Sequence, residues 1–496
     1  MILIKNVQIV DGSGSQPFRA DIFINGDKIS AIGIFPNKKA DVVIDGLGLT
    51  ATPGFVDVDT DSDHYLSLFT NPSQKDFLLQ GVTTIIGGQC GSSIAPLIYG
   101  SLVSIRKWAD PFQVNVGWNT LAELFGIFQK LKLGVNFGTL TGHATIRRDI
   151  VGEGVRDMTK SETDVFKKVL ERSLKEGAVG LSTGLSYIHA KNVPYAEIRE
   201  LVKLVAKYNR IYATHPRDEK AGLVKSVEET ILVSQETGAR AILSHFRPVR
   251  GFEKEFEESV SLVEKSSGTA NVYFDVNPFD ESLVPIYSLL PDWAKNGPLE
   301  VVLANLEGET TRKQIIKELS KLDLKDFIVA EARNQDYVLG KTIDQIANDR
   351  EQKPLEALLD LMDSTGLRGM LAHKNLDMNL LENILVHPRS LIGSNGASLP
   401  EKGRGLKLER STLTFKKFLE FSAKRGIPLE QAIKRITASA AQFYGIKNRG
   451  LLKDGYFADL VLFKDGAITD VLVNGKFAVR DSVLSSELAG HVIQVF

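Results

Sequence analysis

The chain has 496 residues, 43% of them hydrophobic and 24% charged, enough for one large barrel with a smaller domain and ordinary for a globular protein. Its formal net charge is -1 and it has no polybasic tract, which excludes a basic field for nucleic acid or anionic lipid. No stretch supplies the roughly 20 apolar residues that a membrane helix needs.

The opening, MILIKNVQIVDG, has no charged segment leading into a long apolar one, so it does not read as a signal peptide. Its residues Val7, Ile9 and Val10 are β in character and precede the turn Asp11-Gly12. Ala20-Asp21-Ile22-Phe23-Ile24 alternates polar and apolar residues before Asn25-Gly26, a hairpin signal. Val42-Val43-Ile44 follows. From there the pattern changes. Ser161 to Glu176 reads as an amphipathic helix with Ser161 and Thr163 as N-cap candidates. Ala178-Val179-Gly180-Leu181 is a short apolar run. Glu197 to Tyr208 is helical, then comes Ile211-Tyr212-Ala213-Thr214. Ser226 to Glu236 is helical, then Ala241-Ile242-Leu243-Ser244. Apolar runs alternating with helices imply βαβ units and a parallel sheet, with room for a closed barrel. The far end is β again: Ala458 to Phe463 is one strand, and Val471-Leu472-Val473 runs into Asn474-Gly475.

The expected architecture is therefore a (β/α)₈ TIM-type barrel over residues 56–444, beside a small β-sandwich domain built from both termini, residues 1–55 and 445–496. In such a barrel, chemistry sits at the C-terminal ends of the strands. Polar residues follow the apolar runs in just that way. Asp57, Asp59, Asp61 and Asp63 follow Phe55-Val56; Cys90 follows Thr83 to Ile86; His215 follows Ile211 to Ala213; His245 follows Ala241 to Leu243; Asn395 follows Leu391-Ile392. Cys90 is the lone cysteine. It cannot form an internal disulfide, which suits a reducing, cytoplasmic setting.

These residues lie in motifs that resemble the D-aminoacylase (N-acyl-D-amino-acid deacylase) branch of the amidohydrolase superfamily over almost the whole chain. Pro53-Gly54-Phe55-Val56-Asp57, Gly81-Val82-Thr83-Thr84, Gly88-Gln89-Cys90-Gly91, the stretch GAVGLSTGL from Gly177 to Leu185, Thr214 to Glu219, and Gly455 to Val461 carry the resemblance. It implies a zinc-dependent hydrolase of small-molecule amides, with one tight zinc site on Cys90, His215 and His245. Thiolate and imidazole are softer ligands that zinc favours, and three protein ligands leave a position for water. By the same resemblance Arg410 takes the substrate carboxylate, and Tyr187 and His143 line the pocket. Arg247 stands where the family has lysine. A helical insertion is expected around residues 290–345.

The resemblance fails in the chemical centre. The family's second-metal His-x-His is Asp59-Thr60-Asp61 here, its Gly-Ser-Asp-Gly is Gly393-Ser394-Asn395-Gly396, and its Tyr-Pro-Tyr is Asn277-Pro278-Phe279. Asparagine has no proton that titrates near neutrality, so Asn395 cannot be a general base, though it can orient water. Two residues apart on a strand, Asp59 and Asp61 would face the same side and could hold a second, harder cation. Alternatively Asp61 replaces the base, or the acidic run is a solvated loop. His64 and His189 read as loop or rim residues. The leading expectation is a metal-dependent C–N hydrolase with a rebuilt site. The alternatives are a catalytically impaired barrel with a binding or structural role, and a lyase or isomerase, since fold does not dictate reaction.

Overall fold

A computed structural model describes residues 1–154, 156–400 and 405–496. The chain opens with strands β1 (Ile2–Ile9), β2 (Phe18–Asn25), β3 (Lys28–Gly33), β4 (Val42–Asp45) and β5 (Leu49–Pro53). It then builds the barrel strands β6 (Phe55–Asp57), β7 (Val82–Gly87), β8 (Asn136–Gly142), β9 (Gly180–Gly184), β10 (Ile211–His215), β11 (Arg240–Leu243) and β12 (Val272–Val276). Strands β13 (Ser282–Pro285), β14 (Phe327–Ala332) and β15 (Gly369–His373) belong to an insertion. The last barrel strand, β16 (Ser390–Ile392), follows it. Strands β17 (Leu460–Lys464), β18 (Ala467–Val473), β19 (Lys476–Arg480) and β20 (Val483–Leu484) end the chain.

Eight parallel strands run in the order β6-β7-β8-β9-β10-β11-β12-β16. A parallel bridge between Thr60 and Gly396, just beyond β6 and β16, closes the ring. The period-2 alternation of the strands sorts their side chains. Val56, Ile86, Leu140, Ile211, Ile242 and Leu391 share the barrel interior with Tyr444. Their neighbours Phe55, Ile85, Tyr212, Leu243 and Ile392 face the surrounding helices. Helix 160–175 starts at Thr159, whose side chain caps Glu162 N while Glu162 reaches back to Thr159 N. This Thr-x-x-Glu capping box corrects the expected N-cap: Ser161 and Thr163 lie inside the first turn.

The terminal strands β1–β5 and β17–β20 form one nine-stranded mixed sheet. Its core includes Ile4, Ile22, Ile24, Leu460, Leu462 and Leu472, while Val461, Val471 and Val473 on the opposite face join the barrel core. The insertion is larger than the helical segment expected around residues 290–345. It runs from β13 to β15, whose strands form a three-stranded antiparallel sheet with β14. Helices 299–307, 309–318, 343–349 and 354–364 complete it. Its core, with Ile286, Leu306, Val329, Ile346, Leu358 and Leu371, is separate from that of the barrel. The apolar strand segments β14 and β15 pair with each other, so a helical pattern alone could not describe the unit. Among the described residues no helix is long and apolar enough to cross a membrane.

Candidate metal centre

The expected ligand residues converge at the C-terminal mouth of the barrel. Cys90 Sγ lies 2.9 Å from His245 Nε2 and 3.6 Å from His215 Nδ1. One donor atom from each of the three falls within 4.8 Å of the others. Donors around a tetrahedral zinc at about 2.0–2.3 Å sit about 3–4 Å apart, so this buried thiol and two imidazoles fit the ion in spacing and in softness.

Local backbone geometry aims these groups. Cys90, His245 and Asn395 follow β7, β11 and β16, and each has a left-handed φ, of 53°, 55° and 47°. Such a conformation is uncommon for residues other than glycine and is found where a site over-determines it. The glycines of the recognised motifs let chains pass closely here. A Cβ on Gly184 would fall 2.2 Å from Cys90 O, and one on Gly91 would fall 2.8 Å from Gly184 N. One on Gly393 would meet Asp59 Cβ at 2.7 Å. The GAVGLSTGL and Gly-Gln-Cys-Gly segments are thus one packing unit that fixes the height of the thiol.

Carboxylates sit behind both imidazoles. His245 turns Nε2 to Cys90 and Nδ1 to Asp59 Oδ2, 2.9 Å away. His215 turns Nδ1 to Cys90 and Nε2 to Glu219 Oε2, 3.5 Å away. Carboxylates in such places fix ring orientation and strengthen the ligand. Glu219 is held in turn by a two-pronged pair with Arg247, at 3.0 and 2.9 Å. Burial raises Asp59 to about 7, aided by the charge of Asp61. Burial also pushes Asp275 far above the carboxylate range, with the Asp59 charge adding to it. Asp275 Oδ1 accepts the His245 backbone N–H at 3.1 Å. Asp59, His245 and Asp275 form a second cluster of converging donors.

The rest of the acidic run departs from expectation. β6 ends at Asp57, so Asp59 and Asp61 are not on a strand and need not face the same side. Asp61 turns to His64 instead, with His64 Nδ1 2.7 Å from Asp61 Oδ1. Burial opposes ionisation of Asp61, but the hydrogen bond and charge of His64 hold it below its usual range. Nor is the run solvated: Asp57, Asp59, Asp61 and Asp63 are all buried. Asp57 Oδ1 accepts Ser394 N at 2.9 Å and so ties β6 to the β16 loop. His64 is no rim residue. It is fully buried, stacks on Trp108 with ring centroids 4.0 Å apart, and contacts Ser92 O at 2.9 Å. Although burial alone would lower it, the charges of Asp63 and Asp61 carry it to about 9.

The expected substrate residues divide. Arg410, Arg247, Asn277 and Asn395 line one cleft beside His245. Arg410 is 3% exposed and its Nε has no hydrogen-bond partner. Asn395 Nδ2 lies 3.1 Å from His245 Nδ1. The Tyr187 ring lies 5.4 Å from that of His215. His143 does not reach the mouth. It opens helix 143–151, and its ring is buried against Phe166 with Nε2 2.8 Å from Glu197 Oε1. His189 is half-buried beside Arg148, 2.8 Å from its guanidinium.

Two groups at the mouth were not anticipated. Asp275 is the penultimate residue of β12, a polar residue within an apolar run, and that was its signal. Lys107 lies in an irregular loop and carried none. Its ammonium sits 3.1 Å from the Tyr187 ring centroid and 3.8 Å from that of Trp108. Burial lowers it to about 7, against the charge of Cys90.

Comparison with known proteins agrees with this architecture. The family model described as Amidohydrolase family matches residues 311–478. A D-aminoacylase of Alcaligenes xylosoxydans xylosoxydans is 26% identical, over 99% of this chain and 97% of its own. An N-acyl-D-aspartate deacylase of the same organism is 29% identical, over 94% and 86%. A D-aminoacylase crystal structure superposes with a TM-score of 0.83 at 24% identity, covering 99% of both chains. So does an N-acyl-D-glutamate deacylase from Bordetella bronchiseptica, solved with zinc and a phosphonate inhibitor, with a TM-score of 0.83 at 23% identity and 99% coverage of both. Barrel and terminal β domain match the fold of the D-aminoacylase structure, and the family match makes the chain similar to amidohydrolases over residues 311–478. The relatives it resembles over nearly its whole length include a D-aminoacylase and two N-acyl-D-amino-acid deacylases.

Proposed function

We propose that the protein is a zinc-dependent hydrolase of N-acyl amino acids, cleaving a non-peptide amide C–N bond. The observation that carries this is the convergence of Cys90, His215 and His245, from three strand ends, within 4.8 Å. We assign the ion to these three. When bound, zinc supplies a Lewis acid that polarises a carbonyl and lowers the pKa of water toward about 7. Glu219 and Asp59 hold the two imidazoles in register. Asp59 is therefore a positioning carboxylate rather than one half of a Asp-x-Asp ligand pair, and a second cation would draw on Asp59, His245 and Asp275. The buried lone thiol fits a reducing, cytoplasmic setting.

The amine half of the substrate enters the cleft of Arg410, Arg247, Asn277 and Asn395. Arg247 is already neutralised by Glu219, so Arg410 is the guanidinium free to pair with a carboxylate. Asn395 can hold a water or carbonyl by hydrogen bonds but cannot relay its proton. Asp61 is committed to His64 and is a poor substitute base. A candidate proton store is the Asp59–Asp275 pair, both raised by burial and lying beside His245.

An activity screen of N-acyl-D- and N-acyl-L-amino acids on the zinc-loaded protein tests this. We expect hydrolysis, slow on plain N-acetyl-D-amino acids, that disappears in His215→Ala. No hydrolysis of any N-acyl amino acid by a zinc-loaded protein would favour instead the impaired barrel with a binding role.

A further inference from the structure

The ring order of the barrel puts the loops after β7, β8 and β9 across the mouth from those after β11, β12 and β16. The second group carries the Arg410 cleft. The first carries a different cavity, lined by Arg106, Lys107, Arg148 and, from the insertion, Tyr287, Lys295 and Arg368. Its lining has one carboxylate, Glu153, which Arg106 and Arg148 share at 3.3 and 3.4 Å. Arg368 reaches Asp110 at 3.2 Å outside the lining, and Lys295 reaches Asp292 at 3.1 Å. Cation exceeds anion here, and the excess falls on Lys107. Lys107 is 9% exposed and its ammonium lies over the rings of Trp108 and Tyr187; it forms no hydrogen bond or ion pair with any described residue.

A buried ammonium without an anion is costly. An anion bound beside Lys107 would offset that cost. Lys107 also lies close to the reaction centre: its Nζ covers the Tyr187 ring, which stands beside His215. An amide lying across the centre, with its amine half at Arg410, would direct its acyl half toward Lys107. We propose that this cavity is a second anion subsite, so that the substrate bears a carboxylate at each end: an N-acyl amino acid whose acyl chain itself ends in a carboxylate, received by Lys107 with Arg148 and Arg106. The inference rests on the amidohydrolase function proposed above. It also explains why plain N-acetyl substrates should be slow, since they leave Lys107 unpaired.

The test compares N-glutaryl and N-pentanoyl derivatives of one amino acid with zinc-loaded full-length protein. Binding of free glutarate is measured in parallel by titration calorimetry. Wild type should prefer the glutaryl form in kcat/KM. Lys107→Met, which keeps the bulk and removes the charge, should cut the glutaryl-to-pentanoyl ratio by about tenfold or more, the value of one charge-assisted hydrogen bond. Glutarate affinity should fall similarly, and Arg148→Met should act in the same direction if Lys107→Met does not fold. An unchanged ratio in folded Lys107→Met and Arg148→Met overturns the proposal. If wild type cleaves neither substrate, the hydrolase function fails separately and calorimetry decides the subsite: weaker glutarate binding in the variants supports it, and equal or absent binding in all forms overturns it.

Discussion

The two sides of the barrel mouth are built differently. After β7, β10 and β11 stand Cys90, His215 and His245, donors that suit one soft-ligand zinc site. After β6, β12 and β16 stand Asp59, Asn277 and Asn395, in place of the histidine, tyrosine and aspartate that the family resemblance implies. On the proposed zinc side Cys90, His215 and His245 converge over close-packed glycines, with a carboxylate beside each imidazole. On the other side Asp59 is absorbed into support of His245, Asp61 into a buried pair with His64, and Asn395 into contact with the His245 ring. The difference teaches that, on the proposed assignment, the two sides are held by different means and meet at His245. The metal side is fixed by backbone shape, whereas the proton side depends on single side chains.

Variants on the two sides should therefore behave differently. The largest effect short of a ligand deletion is expected at Arg410. Replacing it with Met should lower kcat/KM by about a hundredfold, mainly through KM, because a buried charge pair with substrate is lost. A change confined to kcat would contradict its place at the substrate carboxylate. Next come the carboxylates behind the imidazoles. Glu219→Gln and Asp59→Asn should each weaken zinc affinity by about ten- to a hundredfold, measured by competition with a chelator. Equal zinc affinity in Asp59→Asn and wild type would remove Asp59 from the support of His245. The smallest effect is expected from Asn395→Asp alone. Groups that act as a unit respond together, so restoring one without the partners at 59, 61 and 277 should change kcat/KM by less than about tenfold. A gain of several hundredfold would show that residue 395 alone limits the proton side.

Much of the fold was legible because burial imposes periods on sequence. Alternating apolar runs and helices exposed the barrel, and Gly-rich turns flanked by alternation exposed the terminal sheet. The insertion was only half legible. Its helical character was expected around residues 290–345, but β14 and β15 pair across nearly forty residues in sequence, which local pattern does not reveal. At the mouth, the placement of Cys90, His215, His245 and Asn395 was legible because they follow or end apolar runs. Asp61 was misplaced because the period-2 rule was carried past the end of β6. His64 looked like a rim residue because its burial comes from Trp108, a distant loop residue. Lys107 carried no local signal at all, since its loop has no repeating pattern and its surroundings are assembled from several loops. The left-handed backbone at Cys90 was equally invisible, whereas asparagine and histidine are enriched in that conformation and gave a weak signal at Asn395 and His245.

The central claim is that one soft-ligand zinc site survives intact beside a rebuilt proton side. The most direct test is the metal content of protein purified without added metal, by plasma mass spectrometry, for wild type, Cys90→Ala and Asp61→Asn. The account predicts about one tightly held zinc per chain in wild type, most of it lost in Cys90→Ala and retained in Asp61→Asn. Full zinc occupancy in Cys90→Ala, or its loss in Asp61→Asn with Cys90 intact, would contradict it.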